Sequence, residues 1–194
     1  MIILIVILFL GAGLIFVGCQ ATRSGYESAP YQVVRTAGEF ELRDYPSLVV
    51  VETPMAAGGV SDDGSFRRLF RFITGANDAK QKIAMTTPVF MSGSDTNRTM
   101  AFVLPAKLKA ATAPKPADGA VTVRELPGGR FAVLRFSGGR SAKQEAETLA
   151  RLQTWLAAQG LEAAATPIYG YFDPPWTPSF LRRNEVMLRV TTTP

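Results

Sequence analysis

Runs of apolar residues separated by turn residues predict a series of short β-strands along most of the chain. β-Branched and aromatic residues are frequent in these runs, and residues such as Gly38 and Pro46 interrupt them, as expected where strands end at tight turns. We predict strands at 31–36, 39–44, 47–56, 81–92 and 98–104 in the first half, and at 121–126, 130–136, 163–172 and 184–192 in the second. The segment 110–119, rich in Ala, Pro and Lys, is predicted to connect the halves.

Two segments between the strands have helical periodicity. The first carries an apolar stripe at positions i, i+3, i+4 and i+7, formed by Phe66, Leu69, Phe70 and Ile73. Ser61 or Asp62 is predicted to cap this helix, Gly75 to end it, and Phe72, which lies off the stripe, to be partly exposed. Such a stripe is more often core packing than a ligand surface, and both interpretations remain open here. A longer helix is predicted from about 141 to 159.

The two halves repeat the same order of elements and share residues at matching places. Residues 43–46 (Arg-Asp-Tyr-Pro) align with 124–127 (Arg-Glu-Leu-Pro), and residues 87–90 (Thr-Pro-Val-Phe) align with 166–169 (Thr-Pro-Ile-Tyr). The offsets, 81 and 79 positions, are too similar to arise easily by chance. We therefore predict an α+β fold of two pseudo-symmetric β-β-α-β-β repeats, at about 31–105 and 121–194, forming a distorted antiparallel β-barrel flanked by two helices.

The N-terminal segment differs in composition from the rest of the chain. Residues 1–22 contain no Asp, Glu, Lys or Arg, and residues 2–18 are all apolar or glycine, as in segments that enter a membrane or its translocation machinery. Gly18-Cys19 resembles a bacterial lipobox, so we expect a signal peptide at 1–18, lipid on Cys19 and a polar tether over 19–30. This predicts a membrane-anchored periplasmic lipoprotein. An uncleaved anchor is the alternative.

Composition excludes several classes of function. The chain has no His and one Cys, so it lacks the commonest general base and metal ligand and cannot form an intrachain disulfide. The net charge of +5 over 194 residues is too small and too dispersed for a nucleic-acid partner. Asp62-Asp63 and the pair Glu145 and Glu147 are interpreted as helix capping and helix surface. We therefore expect a binding protein with no catalytic residues and no metal site.

Two long motifs resemble those of the SOUL haem-binding protein family. The first is Lys-Ile-Ala-Met-Thr-Thr-Pro-Val at 82–89. The second is Tyr-Phe-Asp-Pro-Pro-Trp-Thr-Pro-Ser-Phe-Leu-Arg-Arg-Asn-Glu-Val at 171–186, where Phe172 replaces the usual Tyr. The resemblance covers about residues 31–190. It implies a two-repeat α+β barrel that binds haem or another tetrapyrrole.

The resemblance also implies where the ligand is bound. Carried over by position, ligand contacts fall on the first helix and on the proline-rich loop, at Phe66, Arg68, Leu69, Phe70, Arg71, Ile73, Trp176 and Phe180. Without His, haem would be held by apolar contact, by Arg paired with propionates and by a weak Met or Tyr ligand. The loop can equally be a stiff brace that closes the barrel, because three prolines fix its backbone.

These expectations together predict a function. Asn184 and Glu185 are expected to bind backbone groups, and Arg182 and Arg183 to pair with acidic residues. The predicted protein is a non-enzymatic tetrapyrrole carrier or buffer at a bacterial membrane surface. The alternatives are a barrel that binds another apolar anion or a protein partner, and an enzyme that modifies haem.

Overall fold

The computed structural model describes residues 25–56, 63–93 and 97–191. Its strands are β1 (Glu27–Ser28), β2 (Gln32–Ala37), β3 (Phe40–Tyr45), β4 (Leu48–Pro54), β5 (Thr86–Thr87), β6 (Val89–Ser92), β7 (Thr99–Val103), β8 (Thr122–Leu126), β9 (Gly129–Phe136), β10 (Ile168–Tyr171) and β11 (Asn184–Arg189). Its α-helices are α1 (Ser65–Ile73) and α2 (Ala142–Ala158). Short 3₁₀ turns lie at Ala110–Thr112 and Ser179–Leu181.

Nine strands form one curled antiparallel sheet in the order β2-β3-β9-β11-β10-β6-β7-β4-β8. Helix α1 packs on β4 and β7, and α2 packs on β9 and β11. The sheet is a half-barrel with one helix for each half of the chain, so the predicted α+β class and its two repeats are confirmed.

A pseudo-two-fold axis passes between β6 and β10 at the centre of the sheet. In this pair Ile168 lies opposite Ser92 and Tyr171 opposite Val89, a register that is unchanged when the halves are exchanged. Outward from the axis, β7 corresponds to β11, β4 to β9 and β8 to β3, and β2 is an addition. Pro88 and Pro167 immediately precede the two central strands, so they occupy the matching places that the repeat predicts.

Apolar side chains form three clusters on the two faces of the sheet. One lies under α1 and includes Leu69, Phe72 and Phe102, and another lies under α2 and includes Leu152 and Val186. The third contains Val50, Phe90 and Val133. Because successive side chains of a strand point to opposite faces and Val51 belongs to the first cluster, the third cluster lies on the face away from α1.

The exposed face of α1 differs from the prediction. Phe72 is 1% exposed, whereas Phe66 and Phe70 are 48% and 45% exposed. The expectation that Phe72 is partly exposed is therefore wrong. The helix has nine residues and rests on β4 and β7 through Ser65, Leu69, Phe72 and Ile73, a stripe rotated from the one that periodicity selected.

The start of α1 is held by Asp63, whose carboxylate accepts the backbone N–H groups of Ser65 at 2.9 Å and Ala56 at 2.7 Å. The predicted caps Ser61 and Asp62 lie outside the described residues. The strand predicted over 81–92 is shorter than expected, because only β5 and β6 within it are extended strands.

The end of the predicted tether is docked on the domain. Strand β1 pairs in parallel with β5, inside the first family-like motif, and the N–H of Ala29 donates to the carbonyl of Thr87 at 2.9 Å. Composition alone does not predict this strand. The segment 1–24, with its expected signal peptide and Cys19, lies outside the described residues. Neither helix in the described ranges has the length and apolar composition needed to cross a membrane.

Candidate functional site

Two aromatic rings stack on the exposed side of α1. Phe66 and Phe70 lie one helical turn apart, their ring centroids are 6.0 Å apart and their planes differ by 15°. Phe66 also makes an edge contact with Phe102 of the core, with the two ring centroids 5.1 Å apart. Leu69 and Ile73 are buried beneath them, at 0% and 3% exposure, so they support the rings and present no surface of their own. We call Phe66, Phe70 and Arg71 the α1 surface.

The two predicted arginines of α1 differ in their availability. The guanidinium of Arg68 donates to Thr53 Oγ1 at 2.9 Å and to the carbonyl of Pro54 at 2.6 Å, so it ties the helix to β4. Arg71 is exposed in the last helical turn, and its side chain has no hydrogen-bond or ion-pair partner among the described residues. Both line a cavity of about 210 Å³ between α1 and the segment around Pro116. Arg71 is therefore the available cation beside the two rings.

The proline-rich loop is held by its own polar groups. Arg182 donates from Nε to the carbonyl of Thr177 at 2.7 Å and from Nη2 to that of Pro175. The Asp173 carboxylate accepts the N–H of Arg183 at 2.6 Å. These bonds agree with the interpretation of the loop as a brace. Arg182 pairs with carbonyl groups in these bonds, although it was expected to pair with an acidic residue.

The same loop presents two exposed aromatics, Trp176 and Phe180, at 75% and 70% exposure. Phe180 lines an open groove of about 750 Å³ whose other wall comes from α2, including Thr148 and Arg151. No ring contact or hydrogen bond within the described ranges joins either aromatic to α1. Phe180 thus belongs to the groove between the loop and α2, and Trp176 is an exposed side chain of the loop that does not line that groove.

A buried ion cluster lies beneath the loop. Glu185 accepts from Arg43 Nη1 at 2.7 Å and from Arg183 Nη2 at 2.7 Å, and Arg43 lies 4.2 Å from the ring centroid of Tyr31. Burial would raise the pKa of Glu185, but the hydrogen bonds and charge of Arg43, together with Arg183, hold it below its ordinary value. Burial alone would lower the pKa of the Arg43 guanidinium. The hydrogen bonds and charge of Glu185 outweigh burial and raise that pKa.

This cluster corrects one expectation and agrees with another. Asn184 donates to the backbone carbonyl of Gly138 at 2.9 Å, as predicted. The expectation that Glu185 binds backbone groups is wrong, because its described partners are arginine side chains.

Glu145 also differs from its interpretation as helix surface. It is buried under α2, where it accepts hydrogen bonds from Arg98 and from the hydroxyl of Tyr171. Burial, followed by the hydrogen bond to this carboxylate, raises the pKa of Tyr171. Burial also raises the pKa of Tyr169 to about 12. The guanidinium of Arg98 neutralises the Glu145 carboxylate, and the hydroxyl of Tyr171 donates a hydrogen bond to it. These contacts join α2 to the centre of the sheet, which is a structural role.

The available side chains determine which ligand the α1 surface fits. Flat rings and one cation fit a planar apolar molecule with acidic side groups. Within the described ranges, no group of three His, Cys, Asp or Glu residues is placed to hold a metal ion. These residues supply aromatic contact and a cation, and since the sequence has no His they supply no imidazole ligand.

Comparison with solved structures shows that this fold recurs. The C-terminal domain of EcmrR is similar with a TM-score of 0.60 at 15% identity, covering 84% of this chain and 99% of that chain. A hydrolase from Listeria innocua is similar with a TM-score of 0.60 at 11% identity, covering 81% of this chain and 94% of that chain. At these identities the likeness concerns the fold alone. A comparison with curated proteins found no match.

The family comparison covers both motifs and both repeats. The family model described as SOUL heme-binding protein matches residues 26–189, from the docked β1 to the end of β11. Because this match spans most of the chain, the protein belongs to the SOUL heme-binding protein family.

Proposed function

We propose that the protein is a non-enzymatic tetrapyrrole carrier or buffer whose ligand lies against the α1 surface. The observation that carries this proposal is the exposed, stacked pair Phe66 and Phe70 beside the unpaired cation of Arg71. Family membership supports the ligand class. Haem, when bound, supplies a planar apolar ring and two propionates, and the chain supplies the contact and the charge.

Apolar contact is expected to contribute more than charge. Full burial of an aromatic side chain contributes about 1.5–3 kcal/mol, so rings that are already half-buried gain about 1 kcal/mol each. An exposed ion pair between Arg71 and a propionate contributes about 1 kcal/mol or less and weakens with salt. Phe66 and Phe70 together therefore outweigh Arg71.

A haemin absorbance titration tests the location of the site. We expect the double variant Phe66→Ala and Phe70→Ala to lose roughly 20- to 50-fold in affinity, and Arg71→Ala about fivefold or less. The matched control is Trp176→Ala with Phe180→Ala, which removes two exposed aromatics from the proline-rich loop. Circular dichroism must first show that each variant is folded. Full affinity in the α1 double variant would place the site elsewhere.

The groove beside α2 is the second candidate site. Phe180 is exposed there, and the half-exposed side chain of Arg135, which lies 3.6 Å from Glu185, lines the same groove, so the groove offers an aromatic contact and a cation to an apolar anion. Loss of haemin affinity in the control variant alone would assign the ligand to the proline-rich loop, and the same loss in Phe180→Ala alone would assign it to this groove. The enzymatic alternative is tested by recovering haem after incubation with a reductant, and we expect intact haem.

We also propose that the chain is attached to a membrane as a lipoprotein. The support is the uncharged apolar run that ends at Gly18-Cys19. We expect mass spectrometry of membrane-extracted protein to find lipid on Cys19 and no residue before it. An intact Met1 terminus would reject lipoprotein processing and favour an uncleaved anchor.

A further inference from the structure

The lysines of this chain are concentrated in two segments. Of six lysines, five lie within 80–82 and 107–115, and the sixth is Lys143 on α2. The five are Lys80, Lys82, Lys107, Lys109 and Lys115, which we call the lysine surface. All five are exposed.

The fold brings the two segments together. Asn77 and Pro116 form an antiparallel bridge, and the N–H of Asp78 donates to the carbonyl of Lys115 at 3.0 Å. Ile83 belongs to the core cluster under α1 and the partly buried Leu108 packs against it, so both segments cover the same part of the core. Lys107 and Lys109 flank the inward-facing Leu108 and therefore face solvent.

The cations of the lysine surface are not neutralised by side-chain partners. None of the five lysines forms an ion pair within the described ranges, whereas Lys143 lies 3.9 Å from Glu147. The nearby carboxylates of Glu27, Asp78 and Asp118 each accept a backbone N–H, from Ala106, Lys115 and Ala120 respectively. Five cations and three carboxylates leave this surface with a positive excess.

The chain enters the domain at the edge of the lysine surface. Glu27 Oε1 accepts the N–H of Ala106 at 2.7 Å, directly before Lys107. Strand β1 pairs with β5, which begins four residues after Lys82. Only eight positions separate Cys19 from Glu27, and such a stretch spans at most about 28 Å when fully extended. A membrane that holds Cys19 must therefore lie within about 28 Å of Glu27, at the edge of the lysine surface.

We propose that the lysine surface binds the anionic phospholipid headgroups of the membrane that holds the N-terminal segment. The ammonium groups would be drawn to the negative surface of such a membrane over about one Debye length, roughly 10 Å. This contact would orient the domain with α1 near the membrane, because the cavity lined by Arg71 is also lined by Pro116 at the border of the surface. The inference rests on the proposed membrane attachment, and the test separates the two.

Lysine labelling on vesicles tests the proposal. The full chain is reconstituted in vesicles of phosphatidylcholine alone or mixed with phosphatidylglycerol, and a short pulse of an acetylating reagent is followed by mass spectrometry of each lysine. We expect the five lysines to react about threefold or more slowly on the anionic vesicles, and this difference to vanish in about 0.5 M NaCl. Lys143 is the internal control and should react equally on both.

Two outcomes distinguish the lysine surface from the attachment. If the chain floats with phosphatidylcholine vesicles but all six lysines react equally on both vesicle types, attachment stands and the lysine surface is rejected. If the chain floats only with anionic vesicles and the five lysines are protected, binding of anionic headgroups by the lysine surface is supported. Membrane attachment by the N-terminal segment is then rejected. Replacing Lys107 and Lys109 by Gln should weaken the protection of the other three lysines on anionic vesicles, and Lys143→Gln should leave that protection unchanged.

Discussion

Replacing Glu185 by Gln removes the carboxylate from an ion pair whose side chains are both 1% exposed. The Arg43 guanidinium donates to Glu185 from Nη1 at 2.7 Å and from Nη2 at 3.1 Å. A Gln side chain has the same size but no charge, and its amide N–H groups would face the donors of Arg43 and Arg183. The variant therefore leaves a cation in the core without its main counterion.

The expected loss follows from the remaining partners of Arg43. Breaking a buried pair by removing one member costs about 3–5 kcal/mol. Glu41 still accepts from Arg43 Nε at 2.6 Å and is partly exposed, so we expect the lower end of this range, about 3 kcal/mol. For a domain of this size, that loss lowers the midpoint of thermal unfolding by roughly 6–12 °C.

Urea unfolding followed by circular dichroism measures this difference. The matched control is Glu52→Gln, which breaks the pair with Arg124 at 2.7 Å on the surface and should cost about 1 kcal/mol or less. The double variant Arg43→Met with Glu185→Leu should recover part of the loss, since it removes the buried Arg43 cation and leaves only partly exposed cations, such as Arg183 at 23% exposure, without this carboxylate. If Glu185→Gln costs no more than Glu52→Gln, the assignment of this pair as a buried counterion is refuted.

Three further predictions use the same unfolding measurements. Phe72→Ala should cost about 3–5 kcal/mol and Phe66→Ala only about 1 kcal/mol, and equal losses would contradict the observed orientation of α1. Gly128→Ala should cost about 1–3 kcal/mol, because its Cβ would lie 2.7 Å from the carbonyl oxygen of Tyr45; an unchanged midpoint would contradict this close approach. The folded-state pKa of Glu185 is lowered, so its stabilisation is present above the unfolded pKa, about 4.3, and is lost as pH falls through the folded value. As pH decreases below about 4, the free energy of unfolding should therefore fall less steeply in Glu185→Gln than in the parent. Identical slopes would count against a lowered pKa of Glu185 in the folded state.

Local pattern was sufficient for the order of elements and for the repeat. Residues 43–46 and 124–127 end β3 and β8, which occupy symmetric places in the sheet, so their alignment reported real structural equivalence. The strand and helix positions follow from periods that each segment carries by itself. The pairing of β1 with β5 could not be predicted, because a two-residue strand has no period.

The exposure of Phe72 on α1 was predicted incorrectly for a physical reason. Apolar residues at 66, 69, 70, 72 and 73 cover a wide arc, and two stripes within that arc satisfy helical spacing almost equally. Packing on β4 and β7 selects one of them. The choice that buries Phe72 leaves Phe66 and Phe70 exposed, which is the feature on which the proposed site depends.

The buried ion pairs were missed because their partners are remote in sequence. Arg43 and Glu185 are 142 positions apart, and Arg98 and Glu145 are 47 apart. One signal was present: Glu185 stands in a strand whose next three residues, Val186, Met187 and Leu188, are all apolar. A carboxylate in such a strand needs a buried cation, although the sequence does not say which one.

The exchange of outer strands between the repeats bears on how the chain folds. By itself, the first repeat supplies only the hairpin β2-β3 and the separate sheet β6-β7-β4, with no ladder between these two pieces. Strand β3 is joined to the rest through β9, where Arg43 pairs with Phe131, and β4 gains its outer neighbour where Val50 pairs with Arg124. Such remote pairings are typical of domains that fold in milliseconds to seconds. We therefore expect either repeat, synthesised alone, to remain unfolded until the other is present, so that during translation the domain acquires its sheet only after the second repeat has emerged from the ribosome.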